Sequence, residues 1–293
     1  MADPALRRAF EARRFVTAPG IFDMLSARVA DGMGFAALYV TGFGTVASHL
    51  GVPDAGIATY TDMVGRVARF AGGCRTPVIA DADTGYGGLL NLRHTVRGYE
   101  AAGVSGIQLE DQEMPKKCGH TPGRRVIPAE EMVLKLRVAA EARRSPDLLI
   151  VARTDARTTL GLEEAIRRGR MYAEAGADII FIESPESEAE MAEIGRSIQR
   201  PLLANMVEGG RTPILPARRL EELGYAIAIY PVLGFLAAAA ALERAYAHLK
   251  AQGDSTGLPA TESYGFGRVC ELMGFPEVWE FERRWAQQEE ERR

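Results

Sequence analysis

Eight short runs of apolar, largely β-branched residues recur along this chain, with helix-like stretches between them. They are Phe15-Val-Thr-Ala, Ala37-Leu-Tyr-Val-Thr, Pro77-Val-Ile-Ala-Asp and Gly106-Ile-Gln-Leu-Glu, then Leu148-Leu-Ile-Val-Ala, Asp178-Ile-Ile-Phe-Ile, Pro201-Leu-Leu-Ala-Asn and Ala226-Ile-Ala-Ile-Tyr. Their hydrophobicity is continuous rather than alternating, which suits strands covered on both faces, as parallel strands are. The spacers read as helices. Leu92–Ala102 runs into a Gly, Glu130–Arg143 follows a Pro, and Leu162–Ala175 stops at Gly176. Glu100-Ala-Ala-Gly-Val and Glu174-Ala-Gly-Ala-Asp occupy the same place before the fourth and sixth strands, as in an internal repeat. Eight strand–helix alternations predict an α/β fold, the (β/α)₈ TIM barrel. An open doubly wound sheet is the rival, but the turn Ala18-Pro-Gly-Ile-Phe-Asp lacks the Gly-x-Gly-x-x-Gly of its phosphate site.

Composition narrows the class. The 293 residues are 47% hydrophobic and 25% charged, the balance of a soluble globular chain with one large core. A mixed formal charge of -4 gives no electrostatic case for nucleic acid or an anionic membrane. No apolar run is long enough to span a bilayer, and the first residues lack an apolar signal core. Cys74, Cys118 and Cys270 are odd in number and far apart, so a disulfide framework is not expected and a cytoplasmic location is. The barrel is expected over residues 1–250, ending with an Ala-rich helix at Leu233–Leu249. A helical extension is expected over 251–293, where Val278-Trp-Glu-Phe-Glu-Arg-Arg-Trp has near-helical apolar spacing.

Barrel active sites form at the C-terminal ends of the strands. Those ends carry Tyr39 and Thr41, Asp81 and Asp83, Glu110-Asp111, Arg153 and Asp155, Glu183, and Asn205, with Asp23 just past the first strand. Any one Asp after a strand reads as a turn or cap residue. A ring of them with one arginine, gathered at one mouth, points instead to a hard cation and an anionic ligand. Asp81-Ala-Asp83 and Glu110 supply oxygen donors of the type Mg²⁺ takes, with waters completing the shell. Arg153 can clamp a carboxylate in a planar, two-pronged way, and a salt bridge to Asp155 is compatible with that. The long stretch Gln112–Pro128 has the length of an active-site lid and carries Lys116-Lys-Cys-Gly-His120. A thiol flanked by lysines and a histidine can donate a proton to a carbanion or act as a nucleophile. Cys-Gly-His lacks the second ligand pair of a zinc site. Cys74 and Cys270 read as structural.

Six words, in order, carry a resemblance: Asp81-Ala-Asp-Thr-Gly-Tyr-Gly, Leu109-Glu-Asp-Gln, Pro115-Lys-Lys-Cys-Gly-His, Ala152-Arg-Thr-Asp-Ala-Arg, Ala204-Asn-Met-Val-Glu-Gly-Gly and Ile229-Tyr-Pro. From about Phe15 to Pro231 the chain resembles the isocitrate lyase/phosphoenolpyruvate mutase superfamily, as a short lyase-type member. The resemblance implies Mg²⁺, or Mn²⁺ in its place, at Asp81, Asp83 and Glu110. It implies substrate contacts from Thr41, Gly42, Phe43, Asp54, Gly119 and Asn205. Catalytic roles fall on Tyr39, Arg153, Glu183, Lys116, His120 and Cys118, the last as the acid that protonates the leaving carbanion. The base is either Tyr39 or a metal-linked water.

The implied reaction is carbon–carbon cleavage of a substituted 2-hydroxy di- or tricarboxylic acid, dimethylmalate- or 2-methylisocitrate-like, to pyruvate or glyoxylate plus a carboxylic acid. A carboxyphosphonoenolpyruvate phosphonomutase-type enzyme and an oxaloacetate hydrolase or decarboxylase are the alternatives, and Pro231 counts against the hydrolase. The intact acid ring, arginine and cysteine loop argue against a non-catalytic scaffold. The resemblance also implies a homotetramer that exchanges its C-terminal helix between subunits.

Overall fold

In the computed structural model, which describes residues 2–119, 121, 123–259 and 263–291, all eight expected strands form. They are β1 Val16–Ile21, β2 Leu38–Val40, β3 Val78–Asp81, β4 Gly106–Glu110, β5 Leu149–Thr154, β6 Ile179–Ile182, β7 Leu202–Asn205 and β8 Tyr225–Tyr230. Every neighbouring pair is parallel, and β1 pairs with β8, so the sheet closes in sequence order. The expected helices lie within a few residues of their places, at Leu89–Ala102, Ala129–Ala142, Leu162–Glu174 and Leu233–Gln252.

Closure divides the core in two. Residues facing out from the strands pack under the helices, in a cluster that includes Val40, Ala80, Ile107, Ile150, Ile180 and the helical Phe70, Tyr99 and Leu136. Residues facing in, among them Val16, Ile79, Val151, Phe181 and Ile227, form a second cluster inside the barrel. Leu6 and Ala9 belong to that inner cluster and come from a helix at Pro4–Glu11 that the strand pattern does not announce. Asp3 caps this helix by accepting from the Ala5 N–H at 2.7 Å, and Pro4 suits its first turn. The helix thereby plugs the barrel end that the candidate site does not use.

The chain divides into two compact units, Met1–Phe235 and Leu236–Arg293. The second contains most of the helix Leu233–Gln252 and the helices Phe266–Leu272 and Phe275–Glu291. Within it Phe275 packs on Trp279 and Phe281 on Trp285, with both tryptophans about half exposed. Among the described residues no helix is long and apolar enough to cross a membrane. Cys74 caps the end of the helix Tyr60–Gly73.

Candidate active site

Parallel register sets the site. Asp81 at the end of β3 lies beside Gln108 of β4, and Glu110 at the end of β4 lies beside Arg153 of β5. Side chains alternate along a strand, so Gln108 and Glu110 share one face. The resulting cavity is lined by Tyr39, Thr41, Gly42 and Phe43, by Asp54, Asp81 and Glu110, by Lys116, Lys117, Cys118 and Gly119, and by Arg153, Glu183 and Asn205. Asp83 stands behind that lining and His120 lies outside the described residues. Asp23 is elsewhere: it caps the helix Met24–Asp31, accepting from the Ser26 N–H at 2.7 Å.

The acidic side of the cavity is crowded and dry. Asp54, Asp81, Asp83 and Glu110 are all at most 9% exposed. The Lys116 ammonium stands between Asp54 and Asp83, 2.6 Å from Asp83 Oδ1. Burial raises the pKa of Asp83 to about 6, and the neighbouring Asp81 and Asp54 reinforce burial against Lys116. Burial also raises Asp81 and, more strongly, Glu110, despite Arg153 nearby. For Lys116 burial opposes the charged form, but Asp83, Glu110, Asp54 and Asp81 outweigh it and raise its pKa.

Glu110 Oε1 is buried without a hydrogen-bond partner. Among the described residues no three His, Cys, Asp or Glu side chains converge tightly enough to hold an ion unaided. Mg²⁺ does not require that, since one or two carboxylates with waters and ligand oxygens fill its octahedral shell. An orphaned carboxylate oxygen beside two more carboxylates at adjacent strand tips fits such an ion.

The opposite wall handles anions. Arg153 donates from Nε and Nη2 to Asp155 at 2.9 Å each, and lies 3.4 Å from both Glu110 and Glu183. Burial opposes its charge, but Asp155, Glu110 and Glu183 more than compensate, so it stays a guanidinium. Glu183 is held by the Asn205 Nδ2 amide at 2.9 Å and by the Ser184 N–H at 2.7 Å. Ser184 turns that N–H back by adopting φ +62°, a left-handed conformation that costs a non-glycine residue about 1–3 kcal/mol and persists where the surroundings impose it.

Thr41 caps the helix Gly42–Leu50, whose N-terminus faces the cavity with free amide dipoles suited to an anion. A Cβ on Gly42 would come within 2.7 Å of Asp81 Oδ2, so glycine is required for that approach. The Tyr39 hydroxyl donates to Gln108 Oε1 at 2.9 Å, and burial followed by Asp81 raises its pKa well above that of an ordinary phenol.

The loop after β4 crosses the top. Its two limbs are zipped by a Gln112–Val126 bridge and by the Glu113 N–H on the Arg125 carbonyl. Beyond the zip, the Gln112 side chain braces Lys117, and the Cys118 N–H donates to the Asp54 carbonyl at 3.2 Å, which brings the thiol to the cavity. The cavity volume open to water is about 50 Å³.

Three comparisons bear on this arrangement. The family model described as phosphoenolpyruvate phosphomutase matches residues 6–250. The chain belongs to the phosphoenolpyruvate phosphomutase family. Within that family it is 49% identical to 2,3-dimethylmalate lyase of Eubacterium barkeri, over 96% of this chain and 97% of the relative. It is 45% identical to 2-methylisocitrate lyase of Aeropyrum pernix, over 85% and 80% of the two chains. A phosphonopyruvate hydrolase solved with oxalate and Mg²⁺ superposes with a TM-score of 0.87 at 31% identity, covering 98% of this chain and all of the other.

Several residues of this family member's site escape strand-end reading. Gln108 sits mid-strand, although a polar residue inside the apolar run Gly106-Ile-Gln-Leu-Glu is itself a signal. Val207, Ile229, Pro231 and Val232 add apolar lining to Phe43; the first three fall within the quoted words, but nothing local marks their apolar role. Asp111 and Asp155, read as members of the ring, instead act behind it. Asp111 accepts from Thr154, Arg168 and Tyr172, and Asp155 holds Arg153.

Proposed function

We propose that this protein is a Mg²⁺-dependent carbon–carbon lyase acting on an alkyl-substituted 2-hydroxy dicarboxylic acid of the dimethylmalate type. One observation carries the reading. A single cavity joins an acidic corner, a guanidinium and an apolar wall of Phe43, Val207, Ile229, Pro231 and Val232, with the Cys118 thiol beside them. Carboxylates, hydroxyl and alkyl groups of such a substrate each find a matching surface.

Asp81, Asp83 and Glu110 would hold the ion, Mg²⁺ or Mn²⁺, directly or through water. Bound there it would supply Lewis-acid chemistry, drawing electron density from the 2-hydroxy carboxylate of the substrate. Arg153 takes the other carboxylate, with Glu183 and Asn205 fixing it. Thr41, Gly42 and the helix N-terminus hold the hydroxy-acid end. Tyr39 donates its hydroxyl hydrogen to Gln108 and resists ionisation, which suits its oxygen to accept from the substrate hydroxyl and favours a water at the acidic corner as base. As the hydroxyl proton leaves, its oxygen becomes a keto group and the adjacent carbon–carbon bond breaks. The electron pair goes to the departing fragment as an aci-carboxylate, and Cys118 protonates that carbon. Asp54 orients Lys116, and His120 belongs to the same loop word. The products are pyruvate or glyoxylate and a carboxylic acid.

The Cys118 loop crosses the cavity mouth, and lifting it would admit the substrate. Half-exposed Phe275, Val278, Trp279, Phe281 and Trp285 in the C-terminal helix suit the extension 251–293 for exchange within a homotetramer, which sedimentation would test by finding a monomer or not. A cytoplasmic enzyme matches a chain whose three cysteines are odd in number and far apart in sequence.

The deciding assay offers dimethylmalate, methylisocitrate, oxaloacetate and phosphonopyruvate, with and without chelator, and follows keto-acid release and phosphorus NMR. Chelator-sensitive keto acid from dimethylmalate alone is the expected result. Turnover of oxaloacetate or of the phosphonate in its place would overturn the reading.

A further inference from the structure

Arg124 stands at the far end of the loop that carries Cys118, yet it is only 3% exposed. Its guanidinium donates from Nη1 to Asp155 Oδ1 at 2.6 Å and from Nη2 to Thr158 Oγ1 at 2.8 Å. Asp155 Oδ1 also accepts from Arg153 Nη2, and Asp155 Oδ2 from Arg153 Nε, both at 2.9 Å. One fully buried carboxylate is therefore shared by two guanidiniums, of which Arg153 lines the cavity and Arg124 does not. Asp155 is fixed from behind as well. Its N–H donates to Asp111 Oδ1 at 2.9 Å, and Asp111 is gripped by Thr154, Arg168 and Tyr172.

A buried carboxylate with one counter-charge draws that charge in closely, and removing either partner of such a pair leaves the other badly placed. Without Arg124, Asp155 would have Arg153 alone. With Arg124 sharing Oδ1, Asp155 holds the Nε and Nη2 edge of Arg153. Arg153 Nη1 is then left with Glu110 as its nearest carboxylate, at 3.4 Å.

We propose that Arg124 is a positioning residue for Arg153: it shares and balances the charge of Asp155, the carboxylate that fixes the orientation of the substrate arginine. The inference rests on the reading of Arg153 as the carboxylate clamp.

The test uses the full chain with oxalate and Mg²⁺ as the probe, by calorimetry, alongside steady-state kinetics and thermal melts. Arg153→Met tests the underlying reading, and Arg124→Met and Arg124→Lys test the inference. Thr158→Val is the structural control, because it frees one prong of Arg124 without touching Asp155. Arg124→Met is expected to weaken oxalate binding and raise KM about tenfold, with a smaller change in kcat. Arg124→Lys should recover part of that loss, and Thr158→Val should bind nearly as wild type. In an Asp155→Asn background Arg124→Met should add little.

Wild-type oxalate binding in Arg124→Met, with loss in Arg153→Met, overturns the inference alone. Wild-type binding in Arg153→Met overturns the clamp reading and the inference with it. If Arg124→Met does not fold, Arg124→Lys and Thr158→Val decide: losses that track melting temperature equally in both overturn the proposal.

Discussion

The backbone of Gly119 lies so close to Arg153 that a Cβ on the glycine would stand 2.3 Å from Arg153 Nη2. The same atom would be 3.0 Å from Glu183 Oε2. Gly119 therefore seats the loop against the anion-binding wall, and any side chain there displaces either the loop or the guanidinium. Gly119→Ala should lower kcat/KM about 100-fold, since ångström-scale misplacement of reacting groups has effects of that order. Kinetics should be compared at a temperature well below the melt, because Gly119 is buried and the added methyl also costs stability. Unimpaired turnover would show that the loop does not seat this way during catalysis.

Cys118→Ser replaces the thiol by a far weaker acid at nearly the same position. Keto-acid release should fall by about 10²–10⁴, the range of a lost general acid, while oxalate binding with Mg²⁺ persists. Cleavage at the wild-type rate would remove Cys118 from the mechanism.

Mg²⁺ affinity should depend on pH through Asp83. Its pKa of about 6 lies above the ordinary 3.8 because burial disfavours the charged form. Below pH 6 the group holds a proton that a cation must displace, so affinity should fall about tenfold per unit on further acidification and level off above 6. The sign for folding is opposite. A carboxyl whose pKa is raised in the native state stabilises most below its unfolded value, and that contribution is lost as pH rises through about 6. Metal-free protein should accordingly gain from Asp83→Asn at pH 7.5, whereas the same variant loses Mg²⁺ binding. Calorimetry and melts at pH 5.5 and 7.5, with and without chelator, check both halves.

Leu6→Ala probes the other end of the barrel. Leu6 is fully buried in the inner cluster, and its truncation should destabilise the fold by about 2–5 kcal/mol through lost burial and a cavity. KM and kcat should stay close to wild type at temperatures well below the melt. A large kinetic effect at full folding would mean that the plug communicates with the site.

The barrel was legible because parallel strands buried on both faces must be apolar without interruption. Runs such as Leu149–Thr154 and Ile179–Ile182 accordingly stand out from the helices between them. Asp81, Glu110, Arg153, Glu183 and Asn205 were legible for a related reason: a strand's last residues leave the core, and polar groups gathered there in strand after strand have one mouth in common.

Pairings across the barrel were decided only by its closure. Lys116 meets Asp54 from 62 residues away, Arg124 meets Asp155 from 31, and Leu6 fills an interior built by strands as distant as β8. Local periodicity records which face of an element is apolar, and so it determined the architecture and the ring of candidate side chains. It records neither the register that sets Glu110 beside Arg153 nor the charge balance among buried groups, because both depend on distances that exist only once β1 has paired with β8.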